Sequence, residues 1–152
     1  MSPQAAMQHA LALAEGAAWS GEVPVGAVVI DPASGAVIGE GANQPVAGHD
    51  PTAHAEILAL RAAARQVGNY RLTGLDLYVT LEPCAMCAGA ISLARIRRLV
   101  FAARDEKGGA VLHGPRVFDQ PTCHWRPAIT EDTGHAEAAA SLLREFFRAR
   151  RA

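Results

Sequence analysis

Two short motifs contain most of the side chains that could do chemistry. One is His-Ala-Glu at 54–56, and the other is Pro-Cys-Ala-Met-Cys at 83–87. Cys84 and Cys87 are three residues apart, so on a helix they share one face and can bind one ion from its first turn. A helix N-terminus favours the thiolate, which is the form that binds metal. Pro83 is tolerated at a first helical position, because its missing N–H would have no helical partner there.

One nitrogen and two sulfur donors suit Zn²⁺. His54, Cys84 and Cys87 would leave the fourth tetrahedral position open for water, and an open position is typical of a catalytic rather than a structural zinc site. Bound zinc lowers the pKa of water to about 7, which provides a nucleophile at neutral pH. Glu56 lies beside the ion without being needed as a ligand, so we predict that it moves protons as general acid and base.

The tripeptide alone is weak evidence, because His-Ala-Glu occurs again at 135–137 with no cysteine pair after it. The second copy lies in a polar, alanine-rich stretch that predicts an ordinary helix. The metal site is therefore predicted from the first copy together with the cysteine pair, each at the start of a predicted helix.

The elements around the motifs follow from apolar spacing, β-branched runs and Gly or Pro stops. Helices are predicted to begin at Pro3, near Thr52, at Pro83 and near Thr133, and to end at Gly21, Gly68, Ala94 and Arg150. Strands are predicted over 23–30, 36–40, 75–80, 98–102 and 125–129, with the first two forming a hairpin. The strand, helix and strand over 75–102 imply a right-handed parallel crossover. The pattern favours a mixed sheet flanked by helices in one α/β layer domain, with no element assigned over 105–123.

Composition and charge limit the function classes. A chain of 152 residues with 50% hydrophobic residues and a net charge of −1 is typical of one soluble globular domain. The charge is unevenly distributed: residues 1–60 contain six acids and no Lys or Arg, whereas residues 61–152 contain all 14 basic residues against nine acids. That second region, with a net charge of +5, is available for a phosphate-bearing partner in spite of the overall charge.

The sequence also predicts a location. No basic residue precedes the Ala/Leu-rich stretch at 10–18, so we expect neither a signal nor a transit peptide, and we expect the mature chain to be the whole chain. The apolar run at 84–94 is shorter than the ~20 residues that a membrane span needs. Three cysteines, an odd number, fit a reducing compartment. We therefore expect a cytoplasmic protein with no membrane segment.

The chain resembles the bacterial tRNA-specific adenosine deaminases, within the zinc-dependent cytidine/deoxycytidylate deaminase superfamily. His-x-Glu followed by Pro-Cys-x-x-Cys is the signature of zinc nucleobase deaminases. Further matches extend over nearly the full length: residues 22–28, 39–41, 43, 69–72, 77–84, 103–105, 107, 109 and 146–148. Free cytidine deaminases usually have Cys where this chain has His54. The resemblance implies a single zinc-dependent deaminase domain over 1–152, with a three-layer α/β/α cytidine-deaminase-like fold around a mixed five-stranded sheet.

The resemblance also implies an activity and partners. Zinc hydroxide would attack C6 of the wobble adenosine (position 34) of an arginine tRNA, Glu56 would pass a proton to N1 and then to the leaving amine, and ammonia would depart to leave inosine. The substrate would be the tRNA anticodon stem-loop, with its target base splayed out. The protein would be a homodimer with one Zn²⁺ per subunit.

By the same resemblance, seven residues would contact the substrate or the reacting water. Asn43 would bind the purine, and the backbone around Ala55 and Cys84 would hold the reacting base and the water. Val25 and Pro83 would line the pocket, and Asp105 and Lys107 would meet the neighbouring nucleotides. Without the resemblance, Asn43 is an ordinary turn residue, and Asp105 and Lys107 are solvated loop charges.

Two alternatives stay open on the sequence. A structural zinc module could use Cys84, Cys87, Cys123 and His124, although that leaves His54 and Glu56 unexplained. The other alternative is a zinc-dependent deaminase of a free base or nucleoside such as guanine or cytosine.

Overall fold

Five strands form one mixed sheet with two helices on each face. The computed structural model describes residues 1–151, with side chains over 1–150. The helices are α1 (Pro3–Trp19), α2 (Ala55–Val67), α3 (Ala85–Leu93) and α4 (Ala136–Arg151). The strands are β1 (Gly26–Ile30), β2 (Val37–Ala42), β3 (Asp76–Leu81), β4 (Arg98–Ala103) and β5 (Ala128–Glu131). Short 3-10 turns occupy Val117–Asp119 and Thr133–His135.

The sheet has the strand order β2-β1-β3-β4-β5. Strand β1 is antiparallel to β2 and β3, whereas β3, β4 and β5 are parallel. The parallel crossover predicted from β3 through α3 to β4 is confirmed, as are the mixed five-stranded sheet and the three-layer α/β/α arrangement. No helix within residues 1–151 is long and apolar enough to cross a bilayer.

Each face of the sheet has its own apolar core. Side chains of β1, β3 and β4 pack with α2 and α3 on one face, around Phe101, Leu77 and Ile91. On the other face they pack with α1 and α4, around Met7 and Val28. Because both faces are covered, the central strands are almost continuously buried, which explains their apolar rather than alternating sequences.

The ends of several elements differ from the prediction. Helix α2 begins at Ala55 rather than near Thr52, and α3 begins at Ala85 rather than at Pro83, because His54 and Cys84 have extended backbones as N-cap residues. Strand β5 lies about three residues later than predicted, over Ala128–Glu131. The predicted start of α1 is confirmed: the Ser2 side chain accepts from the Ala5 N–H at 3.1 Å, with Pro3 as the first helical residue.

The topology brings distant segments to one end of the sheet. Gly26, at the start of β1, pairs with Ala42, at the end of β2. Leu81, at the end of β3, pairs with Ala103, at the end of β4. The residues just beyond those ends include Val25, Asn43, the 82–84 turn and Asp105. Gly41 lets α2 approach β2 at this end, because a Cβ there would lie 2.5 Å from the Ala55 carbonyl oxygen.

Candidate active site

The two sequence motifs lie at the N-termini of α2 and α3. His54 is the N-cap residue of α2 and Cys84 that of α3. Neither side chain forms a capping hydrogen bond to its own helix, so both are free to turn toward the space between the helix ends. Cys87, fully buried, lies one turn into α3. Two helix N-termini therefore converge on one point, where their dipoles favour thiolate ligands.

The three donor atoms have the spacing of a zinc site. His54 Nδ1 lies 3.6 Å from Cys84 Sγ and 3.5 Å from Cys87 Sγ. All three donor atoms lie within 4.8 Å of one another. A tetrahedral ion about 2.1 Å from nitrogen and about 2.3 Å from sulfur would hold those atoms about 3.6 Å apart. His54, Cys84 and Cys87 therefore fit Zn²⁺ in both donor chemistry and spacing.

The two thiols differ in acidity. The hydrogen bond from Cys87 is the main reason that the pKa of Cys84 falls to about 5. The same hydrogen bond, together with burial, raises the pKa of Cys87. The pair therefore presents one thiolate at neutral pH, and a bound divalent ion would deprotonate the second thiol as well.

Glu56 lies on the first turn of α2, beside this donor group, and is 4% exposed. Burial raises its pKa to about 7, and the charge of Cys84 acts in the same direction. A cation held by the three donors would lower that pKa again, since an opposite charge favours the carboxylate. A buried carboxyl group beside the donor group is placed to take up and return a proton, which suits the predicted proton-transfer role.

Asn43 lies beside the metal ligands. Its Oδ1 accepts a hydrogen bond from the Ala55 N–H at 2.7 Å, and its own backbone N–H donates to the Val25 carbonyl at 3.1 Å. Asn43 thus satisfies the first free N–H of α2, a task that the His54 side chain does not perform. Val25 and Ala55 are buried next to it. Three of the predicted substrate contacts are therefore brought together at one helix end.

The remaining predicted contacts lie around the 105–113 loop. The Ala110 N–H donates to the Pro83 carbonyl at 2.9 Å, which ties this loop to the residue before Cys84. The Asp105 Oδ1 atom accepts from the backbone N–H groups of Lys107 and Gly108 at 3.2 and 2.9 Å. Lys107 is exposed. Asp105 thus shapes its own turn, and the contact of Asp105 and Lys107 with RNA stays a prediction.

Two buried glutamates beside the site had no role in the sequence-based prediction. Glu82 is 2% exposed and accepts from the backbone N–H groups of Asp105, Val111, Leu112 and His113 at 2.9 to 3.3 Å, and its Oε1 lies 2.8 Å from His113 Nδ1. Glu22, also 2% exposed, accepts from the N–H groups of Val46 and Ala47 at 3.1 and 2.8 Å. Each carboxylate fixes one of the loops that border the metal ligands. An acid next to a strand end, followed by Pro-Cys, is the only sequence signal that could have indicated Glu82.

We expect Glu82→Gln to lower the free energy of unfolding by about 1–3 kcal/mol, because an amide cannot accept from all of these donors and leaves buried N–H groups unpaired. The backbone hydrogen bonds, with His113, overcome burial and lower the pKa of Glu82. Because the pKa of Glu82 is lower in the folded than in the unfolded protein, its carboxylate stabilises the fold at neutral pH. This stabilisation is lost as the pH falls through the folded-state pKa. Urea unfolding at pH 7 and at pH 4 measures both effects.

Glu106→Gln, an exposed change in the same loop, is the matched control and should stay within about 0.5 kcal/mol of the parent protein. A Glu82→Gln protein as stable as this control at pH 7 would contradict the anchoring role.

The other motifs singled out in the sequence lie elsewhere. His135 Nδ1 lies 2.8 Å from the Asp132 carboxylate. The Cys123 thiol lies 3.2 Å from the Trp125 carbonyl oxygen and 3.6 Å from the Ser92 hydroxyl. Over the described part of the chain, one group of at least three potential ligands is close enough to hold a metal, and it contains neither Cys123 nor His124. The four-ligand structural module is therefore not formed.

Cys123→Ser is accordingly expected to leave the zinc content at about one ion per chain. The thiol is at hydrogen-bond distance from the Trp125 carbonyl oxygen, and a hydroxyl can form the same bond. Elemental analysis of the purified variant checks this, and loss of zinc would restore the structural-module alternative.

Known proteins resemble the chain over both the site and the fold. Residues 1–103 match the family described as the cytidine and deoxycytidylate deaminase zinc-binding region. A tRNA-specific adenosine deaminase from Agrobacterium fabrum is 50% identical over 145 residues, which is 95% of this chain and 93% of that protein. A solved structure from studies of A-to-I editing by tRNA:A34 deaminases superposes with a TM-score of 0.81 at 51% identity, covering 84% of this chain and 97% of that one. A guanine deaminase from Nitrosomonas europaea gives a TM-score of 0.78 at 28% identity, with 95% and 84% covered.

Proposed function

Because this chain belongs to the tRNA-specific adenosine deaminases of the cytidine and deoxycytidylate deaminase family, we propose that it converts adenosine to inosine at the wobble position, A34, of tRNA. As a family member it is an enzyme with a zinc-binding domain. The observation that supports the proposal most is the His54, Cys84 and Cys87 donor group at zinc spacing, with buried Glu56 beside it. The chain that contains this donor group is 50% identical to a tRNA-specific adenosine deaminase and covers 93% of the length of that protein.

The residues of the site divide the chemistry among them. His54, Cys84 and Cys87 would hold one zinc per subunit, and bound zinc supplies an activated water at neutral pH. Glu56 would take a proton from that water and deliver it to N1 of the adenine ring as the water oxygen bonds to C6. It would then pass the remaining proton of that oxygen to the amine, so that the C6–N bond breaks, ammonia leaves and a C6 carbonyl remains. Glu56 is 4% exposed on the first turn of α2 beside the donor group, a position that supports this role in proton transfer.

The substrate contacts belong to the same proposal. Asn43 would bind the purine through its amide, whose Oδ1 is already oriented by the Ala55 N–H. Val25, Pro83 and the backbone at Ala55 would enclose the base. Asp105 and Lys107 would contact the nucleotides on either side, on the loop that Glu82 fixes to the metal-binding turn.

Four wider features are proposed on the family relationship. The substrate is the anticodon stem-loop of an arginine tRNA, the enzyme is a homodimer, and it works in the cytoplasm as one deaminase domain over 1–152. The homodimer proposal is supported by an apolar groove between α2 and α3 that a second copy of the chain would cover. The groove has a volume of about 300 Å³ and is lined by Ile57, Leu60, Ala90 and Leu93.

One assay separates this function from its alternative. The purified protein is incubated with an arginine tRNA anticodon stem-loop and, separately, with adenosine, cytidine and guanine, and ammonia release is measured. We expect release from the stem-loop, above any from the free compounds. The resemblance to a guanine deaminase at 28% identity makes guanine the sharpest competitor. Release from guanine with none from the stem-loop would overturn the tRNA assignment.

A further inference from the structure

A cavity of about 540 Å³ lies apart from the metal ligands, between the second half of α3 and the 117–125 segment. Its wall includes Arg71, Arg95, Trp125, His124 and Ser92. Neither Glu56, Asn43 nor a metal ligand is part of that wall. The cavity therefore needs an explanation separate from the site already described.

Both arginines in this cavity lie on aromatic rings. The Arg95 guanidinium carbon is 5.3 Å from the centre of the Trp125 ring, and that of Arg71 is 5.6 Å from the centre of the Tyr70 ring. The Arg71 Nε–H also donates to the Tyr70 hydroxyl at 3.1 Å. The indole N–H of Trp125 donates to the Ile96 carbonyl at 2.8 Å, which fixes the ring. Stacking holds the planar guanidinium groups in place before any ligand arrives.

The cavity is positively charged without compensation. No Asp or Glu lines it, and within residues 1–150 neither Arg71 nor Arg95 forms a salt bridge. Other arginines of the chain are paired, as Arg97 is with Asp76 at 2.7 Å and Arg104 with Glu131 at 2.7 Å. Two unpaired guanidinium forks are suited to phosphate oxygens, which they can bind in bidentate geometry.

The cavity is also connected to the metal-binding turn. Helix α3 runs from the turn at Cys84 to Leu93 at the cavity, a distance of about 14 Å for nine residues. The loop beside it follows the same course, since Ala110 N–H donates to the Pro83 carbonyl and Val117 N–H donates to the Ala110 carbonyl. One RNA hairpin with its target base at the metal site could therefore reach the cavity as well.

We propose that Arg71 and Arg95 form a second RNA-binding site that takes phosphate groups of the substrate strand beside the deaminated nucleotide. The proposal rests on the proposed tRNA function and adds to it a named contact site. Arginine stacked on aromatic rings is a common surface for single-stranded nucleic acid, because it offers both charge and a face for bases. A free inorganic anion would use the charge alone, without the aromatic walls.

The test measures binding of the arginine tRNA anticodon stem-loop to zinc-loaded protein with Glu56→Gln, which prevents turnover. Adding Arg71→Ala and Arg95→Ala should weaken binding at least about tenfold, since two charged hydrogen-bonding groups are removed. The slope of log K against log salt should become shallower by about 1.4, since each phosphate contact contributes about 0.7. The control pair Arg65→Ala and Arg148→Ala removes the same charge from exposed positions of α2 and α4 outside the cavity, and should change the slope by less than half as much.

Further measurements decide between explanations. Equal effects of the two pairs, or an unchanged slope, would overturn the proposal, even in a parent protein that deaminates the stem-loop. A change of sedimentation coefficient with the Arg71 and Arg95 pair alone would assign the cavity to a second copy of the chain, and would also overturn the proposal.

If the double variant does not fold, the single variant Arg71→Ala tests the proposal. The Arg71 side chain is exposed and lies on the Tyr70 ring, and its removal should lower the slope by about 0.7. Failure of the parent to release ammonia from the stem-loop is a separate result that refutes the tRNA function.

Discussion

Glu56→Ala is expected to bind zinc normally and to lose turnover by about a hundredfold to ten-thousandfold, the usual contribution of a positioned acid-base group. Glu56 is 4% exposed and lies next to the metal donors without belonging to the donor group. Its removal takes away the group that would move protons to the ring nitrogen and the leaving amine. Ammonia release and zinc content, measured on the same preparation, check both halves of the expectation.

The chain offers a matched control for this variant. Glu137 is the third residue of the second His-Ala-Glu, at the start of α4, and its side chain is 80% exposed with Arg144 as its partner. Glu137→Ala should therefore keep the parent rate. Glu56→Gln tests whether the carboxylate, rather than the volume of the side chain, is needed. Substantial activity in either Glu56 variant would remove Glu56 from its assigned role.

Cys87→Ser is expected to abolish stable zinc binding and, with it, turnover. Cys87 is fully buried and its Sγ lies 3.5 Å from His54 Nδ1, so no exposed side chain can take its place. Changes to residues that only orient a ligand reduce metal affinity about 10- to 100-fold, and removal of a ligand should cost more than about 100-fold. Competition with a chelator of known affinity measures this, with the turnover number measured in the same zinc buffer.

Cys123→Ser is the natural comparison, because it makes the same chemical change at a thiol outside the donor group. The account requires the two variants to differ: zinc is lost in one and kept in the other. A Cys87→Ser protein that keeps one zinc per chain with parent affinity would show that the donor group has been assigned wrongly.

Much of the fold was predictable because local patterns and packing agree. The apolar runs of β1, β3 and β4 are buried on both faces, and Ser2 with Pro3 begins α1 as their residue types indicate. The start of α3 was predicted two residues too early, at Pro83 instead of Ala85. Pro3 and Pro83 look alike in sequence, but the extended backbone of Cys84 ends the turn from β3, and the Pro83 carbonyl is already bound by the Ala110 N–H. That partner lies 27 residues away, beyond the reach of a local pattern.

The metal donors were predictable from the sequence, whereas the long-range contacts that hold the neighbouring loops were not. Residue type and spacing identify His54, Cys84 and Cys87, because few side chains bind zinc. Glu82 looks like a surface acid, since nothing local shows that its hydrogen-bond donors come from 23 to 31 residues later in the chain. The stacking of Arg95 on Trp125 likewise joins residues far apart in sequence. Such contacts depend on how the loop over 105–125 folds back, for which the sequence has no periodic signal.

The most direct test of the central claim is to locate inosine in full-length arginine tRNA after incubation with the zinc-loaded enzyme. The account predicts conversion of A34 and of no other adenosine, with one ammonia released per inosine and release at least about a hundredfold slower with the Glu56→Ala protein. An unchanged A34, or inosine distributed over other positions of the tRNA, would contradict it.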